Sequence, residues 1–226
     1  MPQRQGRGPG CYARVRGVGT APEDGMRVGI ALLGLLLAGA GRAGTPEGVV
    51  TKIAAAPTLG RTTPGGKAPD FTLRAADGGT FTLGKAGRPV LLTFIFTECP
   101  GACPLVVEAA VTSARRVPKG LPRPLVVAVS FDPAVDTPKV LLEYARARGL
   151  EPHEAKMLTG SVADLTRVCE SYGVHVGRNA DDGTIFHTFA TLVIDAKGNV
   201  VARHDGPEID QKLLDEDALQ AARRSK

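Results

Sequence analysis

The pattern of apolar and polar positions predicts buried strands separated by helices. Residues 90–96 (VLLTFIF) are nearly all apolar and β-favouring, which predicts a central strand covered on both faces. Residues 125–131 (LVVAVSF) predict a second buried strand. Two shorter runs, residues 71–73 and 80–83, are separated by turn residues and predict an amino-terminal β-hairpin.

The sequence pattern of the remaining residues predicts four helices and a closing hairpin. Capping residues and glycines mark the helix ends: Thr137 with Pro138 begins one helix that ends at Gly149, and Ser161 begins another that ends at Gly173. The other predicted helices are residues 105–117 and 213–222, and the predicted hairpin strands are residues 191–195 and 200–203. Strands that alternate with helices before a final hairpin predict an α/β fold with a mixed sheet.

Composition and local patterning divide the chain into three parts. The 226 residues are 43% hydrophobic, which is typical of a globular protein with one core. Residues 44–67 are rich in Gly, Pro and Thr and predict a flexible tether. We therefore expect an extension with a targeting segment over residues 1–43 and the folded domain over residues 68–226.

The amino-terminal part carries an export signal pattern. Residues 28–40 (VGIALLGLLLAGA) form a short apolar run that follows Met26 and Arg27 and precedes small residues. Because a bilayer requires about 20 apolar residues, the run favours a cleaved signal peptide, with a retained membrane anchor or a buried core helix as alternatives. We expect translation to begin at Met26 and the mature protein to lack Cys11.

The net charge of +5 does not indicate a nucleic-acid partner. Residues 1–43 hold six basic and two acidic residues, which leaves 22 basic against 21 acidic residues in the remainder. A nearly neutral domain lacks the basic surface that binds nucleic acid.

A pair of cysteines follows the strongest predicted strand. Cys99 and Cys103 lie in the segment TECPGACP, between residues 90–96 and the first predicted helix, where sites in α/β sheets collect. A spacing of four places both sulfur atoms on one face if the helix extends back to Cys99, and a helix amino terminus favours thiolates. A soft metal ion, a redox pair and a structural disulfide are all compatible with this spacing.

The other histidines and cysteines carry less information. His187 is expected in a loop at the entrance of the closing hairpin, and a histidine alone in such a loop does not indicate a ligand. Cys169 has helical spacing with Leu165 and Tyr172, which predicts a buried core thiol. The remaining histidines have no partner at metal spacing: His153, His175 and His204.

Four segments follow one another between about residue 68 and residue 206: FTECPGACP, VSFDPAVDTPKVLLEYA, MLTGS and FHTFATLVIDAKGNVV. In this order and spacing they resemble the Sco (SenC) family of copper proteins. The resemblance implies a thioredoxin-like mixed sheet flanked by helices. It also implies a copper ion, Cu(I) or Cu(II), held by Cys99, Cys103 and His187.

Two departures from the family pattern concern acidic positions. Gly101 and Phe186 stand where family members commonly have acidic residues, whereas Asp132 and Asp136 match acidic positions and are interpreted as loop and helix-cap residues. The departures affect carboxylates around the ligands and contacts with a partner, not the three ligands.

The resemblance implies an assembly factor that transfers copper to the copper-accepting subunit of cytochrome c oxidase, on the periplasmic or other extracytoplasmic side of a membrane. An external thiol reductant would keep the cysteines able to bind copper. The alternative is an extracytoplasmic thiol-disulfide oxidoreductase that uses Cys99 and Cys103 as its redox pair. Three residues between the cysteines, and no proline between Val174 and Gly206, favour the metal function over the enzyme.

Overall fold

The fold is taken from a computed structural model, which describes residues 60–62, 65–179 and 183–226. The predicted export segment, Met26 and Cys11 lie outside these residues. The strands are β1 (Gly60–Thr62), β2 (Thr72–Ala75), β3 (Thr80–Thr82), β4 (Val90–Ile95), β5 (Leu125–Ser130), β6 (Ala155–Thr159), β7 (Val176–Arg178), β8 (Ile185–His187), β9 (Ala190–Ile194) and β10 (Val200–Asp205). The helices are α1 (Ala102–Arg116), α2 (Pro138–Ala147), α3 (Val162–Ser171) and α4 (Gln211–Arg224).

Eight of the described strands form one mixed sheet in the order β1-β10-β9-β4-β5-β6-β2-β3. The three central strands β4, β5 and β6 are parallel, while β9 pairs antiparallel with β4 and β2 pairs antiparallel with β6. Strands β7 and β8 form a separate two-stranded sheet. The parallel centre places the carboxyl ends of β4 and β5 side by side.

The sheet separates two apolar layers because successive side chains of a strand point to opposite faces. Leu92 and Phe94 of β4 pack on the side of α3, whereas Leu91 and Ile95 pack on the side of α1, α2 and α4. All six residues of β4 and all six of β5 are buried. Their nearly all-apolar sequences therefore reflect coverage of both faces.

The helix starts predicted at Thr137 and Ser161 are confirmed, whereas α1 and α4 begin three and two residues before their predicted starts. The Thr137 side chain accepts a hydrogen bond from the Val140 amide at 3.3 Å, and Ser161 accepts one from the Asp164 amide at 3.1 Å. After α2 and α3 the chain reverses through Gly149 and Gly173, whose φ values of 60° and 62° disfavour residues with a Cβ.

The α/β class, the thioredoxin-like mixed sheet and the amino-terminal hairpin β2–β3 are confirmed. Strand β1 pairs with β10, so the sheet extends into the segment for which the sequence predicts a tether. The apolar pattern does not reveal β1, β7 or β8, because three-residue strands are too short to show a period. Among the described helices, none has both the length and the apolar character that crossing a bilayer requires.

Candidate metal centre

The three predicted ligands lie near the carboxyl end of β4. The chain leaves β4 at Ile95, passes through Cys99 and enters α1 at Ala102. Strand β9 runs antiparallel to β4, with Thr191 opposite Thr93, so the residues just before β9 lie beyond the carboxyl end of β4. His187 ends β8 three residues before β9 begins and is therefore in a strand, not in the loop predicted from the sequence.

Cys99 and Cys103 are free thiols on the two sides of the α1 amino terminus. The helix begins at Ala102, so Cys99 precedes it, and the pair is not joined by continuous helical turns as the spacing had suggested. Cys99 Sγ instead accepts a hydrogen bond from the Cys103 amide, with 3.4 Å between sulfur and nitrogen. The sulfur thus satisfies a free amide of the first helical turn.

The two thiols differ in acidity. Burial raises the pKa of Cys99, but the amides of Cys103 and Gly101 and other donors at the helix start outweigh it, so the net pKa lies below the ordinary value. Burial raises the pKa of Cys103 to about 12, and the nearby Cys99 and Asp136 add to the rise. Cys99 is the partly exposed thiol, and Cys103 is 1% exposed.

His187 directs one ring nitrogen at Cys103. Its Nδ1 lies 3.1 Å from the Thr188 carbonyl oxygen; because a carbonyl only accepts, Nδ1 carries the proton. Nε2 then has a lone pair and lies 3.9 Å from Cys103 Sγ. Burial lowers the pKa of His187, although the Thr188 carbonyl opposes this, so the imidazole is neutral near pH 7.

Three phenylalanines hold the His187 ring. Its centroid lies 4.1 Å from that of Phe189, 4.7 Å from Phe131 and 5.7 Å from Phe96. Such packing restricts the rotation of the imidazole and keeps Nε2 directed at the cysteines.

The separation of Cys103 Sγ and His187 Nε2 is close to that of two ligands of one metal ion. Metal–sulfur and metal–nitrogen bonds of about 2.3 Å and 2.0 Å place the two ligand atoms roughly 3.5–3.7 Å apart at tetrahedral to trigonal angles. The 3.9 Å between Cys103 Sγ and His187 Nε2 is slightly longer, so a shared ion requires the two atoms to move a little closer. Within the described ranges, no three His, Cys, Asp or Glu side chains are grouped closely enough to hold a metal ion as they stand.

A cleft of about 580 Å³ opens beside Cys99 and His187. Its described lining includes two carboxylates, Glu98 and Asp132. Asp132 is 3% exposed and accepts a hydrogen bond from Arg178 of β7 at 3.1 Å. This ion pair attaches the β7–β8 sheet, and with it His187, to the loop that follows β5.

The Phe186 side chain lies over Gly177 on the outside of this small sheet. The two residues are directly opposite in the β7–β8 register, and Phe186 is 53% exposed. A Cβ added to Gly177 would overlap the Phe186 ring carbons. Gly177 therefore provides the space that the Phe186 ring occupies beside the cleft.

We expect Gly177→Ala to lower the free energy of unfolding by about 1 kcal/mol, because the new methyl group displaces the Phe186 ring. In a Phe186→Ala background the same change should cost less than about 0.3 kcal/mol, since the overlap is gone. Urea unfolding of the four proteins in this double-mutant cycle measures the coupling. Equal costs in the two backgrounds would contradict the contact.

The other candidate residues lie elsewhere. Cys169 of α3 is 0% exposed in the core, which confirms the predicted core thiol. His204 is buried, with its Nε2 2.9 Å from an Asp217 oxygen, and His153 is exposed at the surface. His175 donates its backbone amide to Thr188 Oγ1 at 3.2 Å.

Two residues near the cysteines were not identified from the sequence. Asp136, interpreted as a cap or loop residue, is 0% exposed and bonds to Thr97, two residues before Cys99. Tyr144 of α2 packs in the same apolar layer as Cys103. Sequence spacing does not reveal them because both positions depend on the tertiary arrangement of β4, β5 and α2.

Comparison with known families gives one match over most of the chain. The profile described as SCO1/SenC matches residues 61–220. A SCO2-like protein of Rickettsia felis is 31% identical over 137 residues, which cover 57% of this chain and 64% of the relative. The chain spans less than two thirds of the length of the relatives that it matches in sequence.

Solved structures give the same result for the fold. Arabidopsis thaliana ScoI with copper bound superposes with a TM-score of 0.59 at 26% identity, covering 70% of this chain and 98% of that one. Bradyrhizobium japonicum ScoI with copper bound superposes with a TM-score of 0.57 at 25% identity, covering 75% of this chain and 100% of that one.

Proposed function

The chain belongs to the SCO1/SenC family, and we propose from that membership and from the site geometry that it is a copper metallochaperone. Cys99, Cys103 and His187 bind one copper ion, as Cu(I) or Cu(II), and deliver it to the copper-accepting subunit of cytochrome c oxidase. The observation that carries the proposal is the approach of His187 Nε2 to Cys103 Sγ at 3.9 Å.

The donor set supports copper as the cargo. Thiolate sulfur is a soft donor that prefers Cu(I), and imidazole nitrogen is a borderline donor that also binds Cu(II). The neutral His187 ring requires no deprotonation before it binds, whereas the two thiols release protons as the ion enters. The Sco proteins of A. thaliana and B. japonicum have been solved with copper bound, which supports the same cargo here.

The cleft also supports transfer to a partner. Cys99 and His187 line an open surface, while Cys103 is 1% exposed beneath them. An acceptor approaching this cleft reaches the ion from the side of Cys99 and His187 and exchanges ligands with it there. Delivery thus needs no opening of the apolar core.

We place the protein on the extracytoplasmic side of a membrane, with a periplasmic location in a bacterium. The apolar run of residues 28–40 supports export, either as a cleaved signal or as a retained anchor. Cysteines oxidise to disulfides in such compartments, so an external thiol reductant supplies the electrons that return Cys99 and Cys103 to thiols.

The difference in pKa and exposure between Cys99 and Cys103 supports a second candidate function, that of a thiol-disulfide oxidoreductase. The accessible Cys99 thiolate would attack a partner disulfide and release one partner thiolate, forming a mixed disulfide. Cys103 would then displace the second partner thiolate, leaving Cys99 and Cys103 oxidised and the partner reduced by two electrons. The raised pKa of Cys103 slows this second step because its thiolate is scarce.

An anaerobic competition titration with Cu(I) tests the chaperone function. We expect the reduced protein to bind one Cu(I) and His187→Ala to bind at least about tenfold more weakly, because loss of even an outer-shell partner costs that much. His153→Ala is the matched control, since His153 is exposed and lies outside the site. Unchanged affinity in His187→Ala would reject His187 as a ligand.

Turnover of a disulfide substrate, measured on the same proteins, separates the second function from the first. Efficient turnover by His187→Ala without copper binding would support the oxidoreductase. Copper binding by the wild-type protein without turnover would support the chaperone alone.

A further inference from the structure

The exposed large apolar side chains lie at one end of the molecule. Among the side chains that the structure describes, two of this kind are exposed: Leu105 at 63% and Phe186 at 53%. Leu105 lies in the first turn of α1, two residues after Cys103, and Phe186 directly precedes His187 in β8. Single exposed apolar residues are common on soluble proteins, but here both lie beside proposed copper ligands. Their placement indicates a contact surface at this end.

The Phe186 side chain faces away from the ligand that it precedes. Successive side chains of a strand point to opposite faces, so the His187 ring packs inward against Phe131 and Phe189 while Phe186 points outward. The Phe186 ring lies on Gly177 and borders the same cleft as His187. Because the contact with Gly177 already restricts the ring, a partner that binds to it loses little side-chain entropy.

Copper transfer requires an acceptor to cover the rim of this cleft. Ligand exchange brings an acceptor sulfur or nitrogen to within about 2.0–2.3 Å of the ion. The ion is reached from the cleft, because Cys103 is 1% exposed and the cleft opens beside Cys99 and His187. A protein surface close enough to exchange ligands there also contacts Phe186. Covering the ring removes apolar area from water, which stabilises the complex.

We propose that Phe186 anchors the copper acceptor, whose surface carries an apolar depression beside its own copper ligands, and that Leu105 is a second contact at the edge of this interface. Aromatic side chains are enriched in the buried core of protein interfaces and provide much of their binding energy. The acceptor is thus recognised by apolar complementarity beside the metal. This inference rests on the proposed copper function and specifies how its partner is bound.

Transfer kinetics test the inference with Phe186→Ala. The Cu(I)-loaded protein is mixed anaerobically with the purified, copper-free acceptor subunit of cytochrome c oxidase, and the second-order rate constant of transfer is measured. We expect Phe186→Ala to transfer Cu(I) at least about tenfold more slowly, the effect of removing an interface anchor. Its Cu(I) affinity, and its transfer to the small chelator bicinchoninate, which needs no docking, should match those of the wild-type protein.

Three further variants separate docking from other effects. Gly177→Ala keeps the phenylalanine but displaces its ring, so it should also slow transfer to the subunit. Leu105→Ala should slow transfer by a smaller factor than Phe186→Ala, since contacts around an anchor contribute less. Lys197→Ala is the control, because Lys197 is exposed in the turn after β9, at the opposite end of the sheet. It should transfer Cu(I) at the wild-type rate.

Four outcomes overturn the inference. Transfer to the subunit at the wild-type rate in Phe186→Ala would exclude Phe186 from docking while leaving the copper function intact. A larger loss in Leu105→Ala would reject Phe186 as the anchor. Equal slowing of transfer to bicinchoninate would show that Phe186 acts on the copper site itself. Failure of the wild-type protein to bind Cu(I), or to transfer it to the subunit, would overturn the copper function and this inference with it.

Discussion

Iodoacetamide at pH 8 is expected to label Cys99 in the reduced, metal-free protein at least several hundredfold faster than Cys103 or Cys169. The thiolate is the reactive form, and burial raises the pKa of both slower thiols to about 12, whereas the pKa of Cys99 lies below the ordinary value. This gap makes the Cys99 thiolate about a thousandfold more abundant at pH 8. The thiolates of Cys103 and Cys169 are more basic and therefore more nucleophilic, which raises their labelling rates about 20-fold and offsets part of this difference. Both side chains are only 0–1% exposed, however, so iodoacetamide has little access to them.

Peptide mapping by mass spectrometry resolves the cysteines and follows each label with time. The Cys99 rate should rise with pH and level off below the ordinary cysteine pKa, because donors at the helix start stabilise the thiolate. Labelling in concentrated urea is the control, since all cysteines should then react at similar rates. Comparable native rates for Cys99 and Cys103 would contradict the described geometry of the helix start.

The sequence predicted the fold where local signals and burial agree. Residues 90–96 and 125–131 are nearly all apolar, and the structure buries all of β4 and β5. The helix starts at Thr137 and Ser161 follow from side chains that bond to amides within three residues. Strands β1, β7 and β8 could not be predicted because each has three residues, and its pairing depends on a distant partner.

The candidate ligands could be predicted from the sequence for a different reason. The cysteine spacing alone left a disulfide, a redox pair and a metal site open, and His187 alone indicated nothing. The order and spacing of four segments identified the family, and the family implied the three residues. The structure adds what spacing cannot contain: the Nδ1 proton on His187, the aromatic contacts of its ring, and the difference between the two thiols.

Asp136 connects the site to the core. Its carboxylate accepts hydrogen bonds from Ser130 Oγ at 2.6 Å and from the Thr97 amide and hydroxyl. These bonds join the ends of β4 and β5 just before Cys99. Burial raises the pKa of Asp136, although the donors from Ser130 and Thr97 oppose this. At neutral pH the hydrogen bonds from Ser130 and Thr97 offset the cost of burying the Asp136 carboxylate. The three side chains therefore stabilise one another.

Asp136→Ala is expected to lower the free energy of unfolding of the metal-free protein by about 3 kcal/mol. The change leaves the Ser130 hydroxyl and the Thr97 donors without their acceptor, and each unsatisfied buried group costs about 1–3 kcal/mol. Asp136→Asn keeps the shape and one acceptor oxygen, so it should cost less than about half as much. Urea unfolding at pH 7 compares the three proteins. Equal stability of Asp136→Ala and the wild-type protein would show that Asp136 does not hold the segment before Cys99 in place.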